Sequence, residues 1–270
     1  MAENMNEPRA LVGDPNLDRE LRARAETASA AVPVVLDAAR HLRHDTLAQM
    51  HAIALYGTII ELFSACVLLA QWGEPTGIPI LLRSEYEALV DLDNLLRDAG
   101  YVERMEAANI AQTLKIMKGG PLRQEFEVGR KADFDELVTQ LAALEKKKKT
   151  PLSVRDRCDA VGRLGEYEGI YGVFCIDTHN NASALAERHL SEHKDGTPLI
   201  SFFGPYNPQS VAMRLDFGLQ WLFESGNLIH SAFRVPAPQV AELADRFVRE
   251  RRERMAAAGK GTERVANQPT

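Results

Sequence analysis

Residues 53–72, IALYGTIIELFSACVLLAQW, form the most apolar run of the chain, and a run of this length has two destinations: the interior of a helical bundle or a lipid bilayer. Glu61 stands near its centre and small residues interrupt it, which suits a helix packed against other helices better than one facing lipid. A central helix of a soluble bundle is therefore expected, with no membrane partner. The start of the chain, MAENMNEPRALVGDPNLDRE, is acidic and polar and lacks the basic start and apolar core of a signal peptide, so a cytoplasmic protein is expected. Its net charge of -6 rules out a surface that is one continuous nucleic-acid or membrane footprint, while leaving room for a local basic groove. Cys66, Cys158 and Cys175 are odd in number and far apart, a pattern of reduced thiols rather than of disulfides or a zinc motif.

Helical periodicity governs nearly all of the sequence, with no internal repeat, so the expected fold is all-α. Residues 1–15 read as a disordered N-terminus, and 16–258 as a single helical domain with its core at about 40–235. A first helix spans about 16–43, with Pro33 expected to kink or break it. Asp45 is placed to cap a second helix that runs to Trp72 and stops at Gly73. After the turn EPTGIPI, a third helix starts on Pro79 and ends at Gly100, and a fourth covers YVERMEAANIAQTLKIM.

Residues 121–152 read as a charged peripheral arm closing on Lys146–Lys149, where lysines favour the negative end of a helix dipole. Ser153 opens a short helix ended by Gly162, and a further helix is expected from Gly165 to His193, broken by KDGTP. LISFFGPYNP is the one plausible extended piece, too short to make a sheet by itself. Two helices, 209–233 and 239–258, complete the domain before a tail, 259–270, expected to be disordered. Short connections between long helices predict antiparallel neighbours, hence an antiparallel bundle with a peripheral arm and no substantial sheet.

Two of these helices carry polar stripes among apolar residues. In the third, Arg83 and Glu87 lie four apart on one face, next to Ser84, and Asp91 and Asn94 continue the line. In the helix expected at 165–193, Tyr171, Cys175 and His179 recur at helical spacing, followed by Asn180 and Asn181. Each stripe has an ordinary reading, a solvent-facing ion pair or a hydrogen-bonded core histidine. If the stripes face each other, Arg83, Glu87, Tyr171 and His179 make a general acid/base site in which the carboxylate orients the imidazole and the guanidinium holds an anion. Arg188 and His193 in RHLSEH form a second, less specific pair. His41, His44 and His51 lack the carboxylate pattern of a zinc site, and paired Glu-x-x-His motifs are absent, so neither metal nor cofactor is expected. Glycine-rich phosphate loops and nucleophile elbows are absent too.

IPILLRSEYEALVDLDNLL, followed much later by YEGIYGVFCIDTHNNASAL, resembles the bacterial helical family known as domain of unknown function 5677. The matching residues are Arg83, Ser84, Tyr86 and Glu87, then Tyr171, Cys175 and His179 with its asparagines, within a likeness covering roughly 40–235. The resemblance implies a helical fold and groups the two stripes. RHLSEH is similar to the signature of HEPN domains, helical bundles that include metal-independent ribonucleases of toxin and phage-defence systems. That likeness implies that His193 moves protons at the RNA 2′-hydroxyl or leaving oxygen while Arg188 stabilises the charged phosphorane.

Three functions stay open at this point. One is a cytoplasmic, cofactor-independent phosphodiesterase acting on RNA or a nucleotide in a defence or stress context, as a homodimer that lines its groove with helices of both copies. Its site would be Arg83, Glu87, Tyr171 and His179, or Arg188 with His193; Ser84, Asp91, Asn180 and Asn181 would contact substrate. The second is a non-catalytic module binding a small ligand or a partner protein, its polar residues keeping the helices in register. The third is a metal-dependent oxygenase or hydrolase in the bundle core.

Overall fold

The computed structural model describes residues 15–119, 131–178, 182–192, 196–200 and 206–266. Its core is a ring of four long helices: α1 (Pro15–Ala39), α2 (Leu47–Gln71), α3 (Ile78–Arg97) and, far along the chain, α10 (Pro208–Phe233). Helix α1 packs on α2 and α10, α3 packs on the same two, and α2 and α10 touch across the ring. The all-α bundle expected from periodicity is thus the observed fold.

Local sequence chemistry sets the helix ends. Thr46, not Asp45, caps α2: its hydroxyl accepts from the Gln49 amide while the Gln49 side chain reaches back to the Thr46 N–H, a reciprocal capping box. Gly73 takes the left-handed conformation (φ 71°) that ends α2, and a 3-10 turn over Pro75–Gly77 leads into α3 with proline in its first turn. Asn207 caps α10 by accepting from the amides of Gln209 and Ser210. Helix α1 runs through Pro33 without the expected break and ends at Ala39, four residues early. Among the described residues α2 is the one helix long and apolar enough to cross a membrane; its Tyr56, Ile59, Phe63 and Cys66 lie in the bundle core, and Glu61 is exposed.

Helix α4 (Tyr101–Lys118) leaves the ring and pairs with α5 (Lys131–Lys146) around a small core of its own: Ala107, Ile110, Leu114 and Leu144. The arm therefore takes in α4 as well as the charged segment. At its root Lys147 donates to Glu103 at 2.9 Å, Lys149 to the Gly100 carbonyl at 3.1 Å, and Arg104 to the Thr150 carbonyl at 3.1 Å. Two of the four consecutive lysines thus fasten the hairpin, and Lys147 holds the Glu103 carboxyl below its usual range.

The chain returns to the bundle through α6 (Val154–Ala160), opened by a Ser153 cap and closed by Gly162 at φ 78°. The helix expected over 165–193 is not one helix. It divides into α7 (Leu164–Glu166), a π-helical turn at Tyr167–Tyr171, α8 (Gly172–Thr178) and α9 (Ala182–His189). Leu190–Glu192, expected as helix, is strand β1 and pairs antiparallel with β2 (Pro198–Ile200) around the turn at Gly196. These three-residue strands are the whole sheet among the described residues. Helix α11 (Pro238–Ala266) packs on α10 and α1. It extends to Ala266, into the tail expected to be disordered, because Ala256–Ala258 and the Glu263–Arg264 pair are good helix formers that outlast the two glycines between them.

Candidate functional site

Helix α3 is buried on nearly every side, yet it carries two rows of charge, and each row fastens a different part of the returning chain. The first row is Arg83, Glu87 and Asp91, at successive four-residue steps. Tyr171, delivered by the π turn, donates its hydroxyl to Glu87 Oε1 at 2.8 Å. Arg83 Nε lies 3.1 Å from the same hydroxyl oxygen and 3.3 Å from Glu87 Oε1, and its guanidinium sits 5.4 Å from the Tyr171 ring centroid. Arg157 of α6 completes the row: Nη1 reaches both oxygens of Asp91 at 2.8 and 2.7 Å, and Nη2 reaches Glu87 Oε2 at 3.1 Å. Tyr101, the first residue of the arm, donates to Asp91 Oδ1 at 2.6 Å.

The second row is Asp93 and Arg97. Asp93, 2 % exposed, accepts from Arg97 Nε at 2.7 Å and from Arg163 Nε at 3.2 Å. Arg163 also bonds Glu166 and, on α10, Glu224. The Tyr86 hydroxyl closes the link by donating to the Arg163 carbonyl at 3.4 Å, and its ring packs 5.0 Å from that of Trp221.

Protonation follows from these contacts. Burial, then the hydrogen bond to Glu87, pushes the Tyr171 phenol above its usual range, so at neutral pH it is a donor and not a phenolate. Burial also raises Tyr101, with the Asp91 carboxylate adding to it. Burial opposes the charge of Arg83, but the bonds to Tyr171 and the nearby Cys175 and Glu87 outweigh it and leave Arg83 more basic than usual. Glu87 serves three donors at once, so it is an anchor for cations and not a free base.

Of the residues singled out in the sequence, the structure brings together Arg83, Glu87, Tyr171 and Asp91, with Cys175 half-buried beside them. Ser84 is exposed and bonds back to the Ile80 carbonyl at 3.2 Å, so it stays outside the group. Its position one residue past Arg83 turns it about 100° around the helix. His179, Asn180, Asn181 and His193 lie outside the described residues, and Arg188 falls on α9. Among the described residues no three His, Cys, Asp or Glu side chains cluster as a metal shell.

Arg157, Tyr101 and Arg163 carry no periodic signal in the sequence: Arg157 and Tyr101 find their partners on α3, and Arg163 finds its on α3, α7 and α10. What the arrangement can do chemically rests on Arg83: it is fixed through Nε, about a quarter of its side chain is exposed, and among the described residues its two Nη groups carry no hydrogen bond. An arginine held in this way presents a planar, two-pronged donor suited to a phosphate or carboxylate.

In comparison with known proteins, residues 49–197, more than half of the chain, match the model of a family described as one of unknown function (DUF5677). The matched span contains both rows of charge. Neither the curated proteins nor the solved structures include a match.

Proposed function

The chain belongs to the DUF5677 family, and we propose that in it Arg83, aimed by Glu87 and Tyr171, holds the phosphate of a phosphodiester, RNA in first place, for metal-independent cleavage by histidine acid/base chemistry. The observation that carries the proposal is the Nη edge of Arg83, which has no hydrogen bond among the described residues and is set by Glu87 and Tyr171 at a partly exposed face. In that role Arg83 neutralises charge that grows on the phosphoryl oxygens as the phosphorane forms. His179, which directly follows the last residue of α8, takes the 2′-hydroxyl proton as that oxygen bonds to phosphorus. The 5′-oxygen leaves and takes up a proton, and the products are a 2′,3′-cyclic phosphate and a free 5′-hydroxyl. Arg188 and His193 are the alternative pair for the same chemistry, Asn180 and Asn181 belong to the substrate-facing set, and Asp91, whose oxygens are taken by Arg157 and Tyr101, supports the site from behind. The proposal includes action in the cytoplasm, in a defence or stress response, as a homodimer.

A second reading, a non-catalytic module that binds an anionic ligand, is favoured by a separate observation. Both carboxylates of the first row are engaged by arginines and Tyr171 is protonated, so no described group there is free to accept a proton. Incubation with total RNA separates the two. Cleavage by the wild type that is lost in Arg83→Ala and in His179→Ala or His193→Ala supports the enzyme, while binding without cleavage assigns the module. Equal cleavage by all variants overturns the site.

A further inference from the structure

We infer that Arg157 is the positioning residue of the Arg83 site: by spanning Asp91 and Glu87 it fixes the carboxylate that aims Arg83, an inference that rests on Arg83 holding the phosphate.

Glu87 and Asp91 stand one helical turn apart, about 6 Å, on a helix whose other faces are buried, and two carboxylates at that distance repel. Without another cation, Glu87 would turn both oxygens to Arg83 and draw it into a two-point bridge, occupying the Nη groups that an incoming phosphate needs. Arg157 prevents this. Its Nη1 takes both Asp91 oxygens and its Nη2 takes Glu87 Oε2, which leaves only Oε1 toward Arg83. That oxygen is already shared with the Tyr171 hydroxyl, so Arg83 meets it through Nε alone.

Arg157 is itself held at both ends. Its carbonyl accepts from Asn94 Nδ2 at 3.0 Å, and its helix is capped by Ser153, which accepts from the Asp156 amide at 3.1 Å. Its Nε is buried with no partner among the described residues, a cost retained while both Nη groups stay on carboxylates. Only 16 % of the side chain is exposed, which sets it behind Arg83 rather than against a ligand. Tyr101 continues the chain of contacts, so the root of the arm is tied to Arg83 through Asp91, Arg157 and Glu87.

The test measures the affinity of an uncleavable 2′-O-methyl RNA of about a dozen nucleotides by fluorescence anisotropy. Arg157→Ala is expected to weaken binding about tenfold, the scale of one lost charge-assisted contact. Arg157→Lys should be nearly as weak, because one ammonium cannot span two carboxylates in a plane. Millimolar guanidinium added to Arg157→Ala should restore most of the affinity, a rescue that a general loss of folding would not give. Tyr101→Phe should weaken binding by only about two- to threefold, since Asp91 keeps Arg157. If Arg83→Ala binds like the wild type, the phosphate reading fails and this inference with it. If Arg83→Ala loses binding while folded Arg157→Ala and Arg157→Lys keep wild-type affinity, the positioning role alone is overturned. Should Arg157→Ala not fold, Arg157→Lys decides.

Discussion

Glu85 and Glu87 are two positions apart on α3 and live in opposite surroundings. Glu87 is shared among three donors, whereas Glu85 is fully buried with neither carboxylate oxygen hydrogen-bonded among the described residues. Burial pushes its carboxyl well above the usual carboxylate range, so it is a neutral acid in the folded chain. In the unfolded chain it titrates near its ordinary value of about 4.3. A raised folded pKa means that the unfolded state loses its proton first as pH rises. Its contribution is therefore fully present below about pH 4.3 and is lost progressively as pH climbs toward the folded value. Glu85→Met keeps the volume and removes both effects, so it should stabilise the protein at pH 8 by about 1–3 kcal/mol, with a smaller gain at pH 5. Urea midpoints at the two pH values check this, and equal midpoints for both proteins at both values would refute it. The sequence marked Arg83 and Glu87 because an i,i+4 pair is visible in one helix. It did not mark Arg157, which lies 70 residues from Glu87 and two from Arg155, an identical letter with a different fate.

Between elements, contact distance discriminates among residues that sequence treats alike. Helix α10 crosses the bundle at Gly218, where an added Cβ would sit 2.7 Å from Leu82 Cδ2 and from Phe63 Cδ2. Gly57, on α2, has nothing within 4 Å of the same position. Alanine should gain about 1 kcal/mol over glycine in either helix from propensity alone. At Gly57 that gain should appear as a raised Tm. At Gly218 it should be outweighed by overpacking of about 1–3 kcal/mol, giving a lowered Tm. Matching shifts of the same sign in the two variants would mean that the close approach of α10 is not tight. The expected helix over 165–193 failed at this scale for a related reason. A π turn is retained at Tyr167–Tyr171 because it brings Tyr171 to Glu87 and Arg83, a tertiary bond invisible to periodicity. The pairing of β1 with β2 had a local signal in Gly196, whose positive φ marks a change of direction, and KDGTP was read only as the end of a helix.

In the molecule as a whole, the all-α bundle was legible because helical periodicity runs along nearly the whole chain and each long helix must bury an apolar face, whereas the closing of the ring by α10, far along the chain from α3, has no local signal. The fastening of residues 153–178 to that ring was not legible either, because it depends on charges meeting across distant segments. Arg163 is its centre: 7 % exposed, it joins Asp93 of α3, Glu166 of α7 and Glu224 of α10. Arg163→Met preserves most of the volume and leaves Asp93, 3 % exposed at its side chain, with Arg97 alone, whose own side chain is 57 % exposed. Breaking a buried pair from one side costs about 3–5 kcal/mol. Glu166 and Glu224 are each 34 % exposed and water screens them once freed, which puts the expected loss at the low end, about 3 kcal/mol. Pairing Arg163→Met with Asp93→Asn removes the stranded charge as well, so the double variant should recover part of that loss, a coupling readable from urea midpoints of the four proteins. The loss should also be global, since Arg163 bridges two ring helices: near-UV and far-UV circular dichroism should report one shifted transition. A separate early melting of the Tyr171 segment, with the ring intact, would show instead that the second row of charge fastens the site without stabilising the bundle.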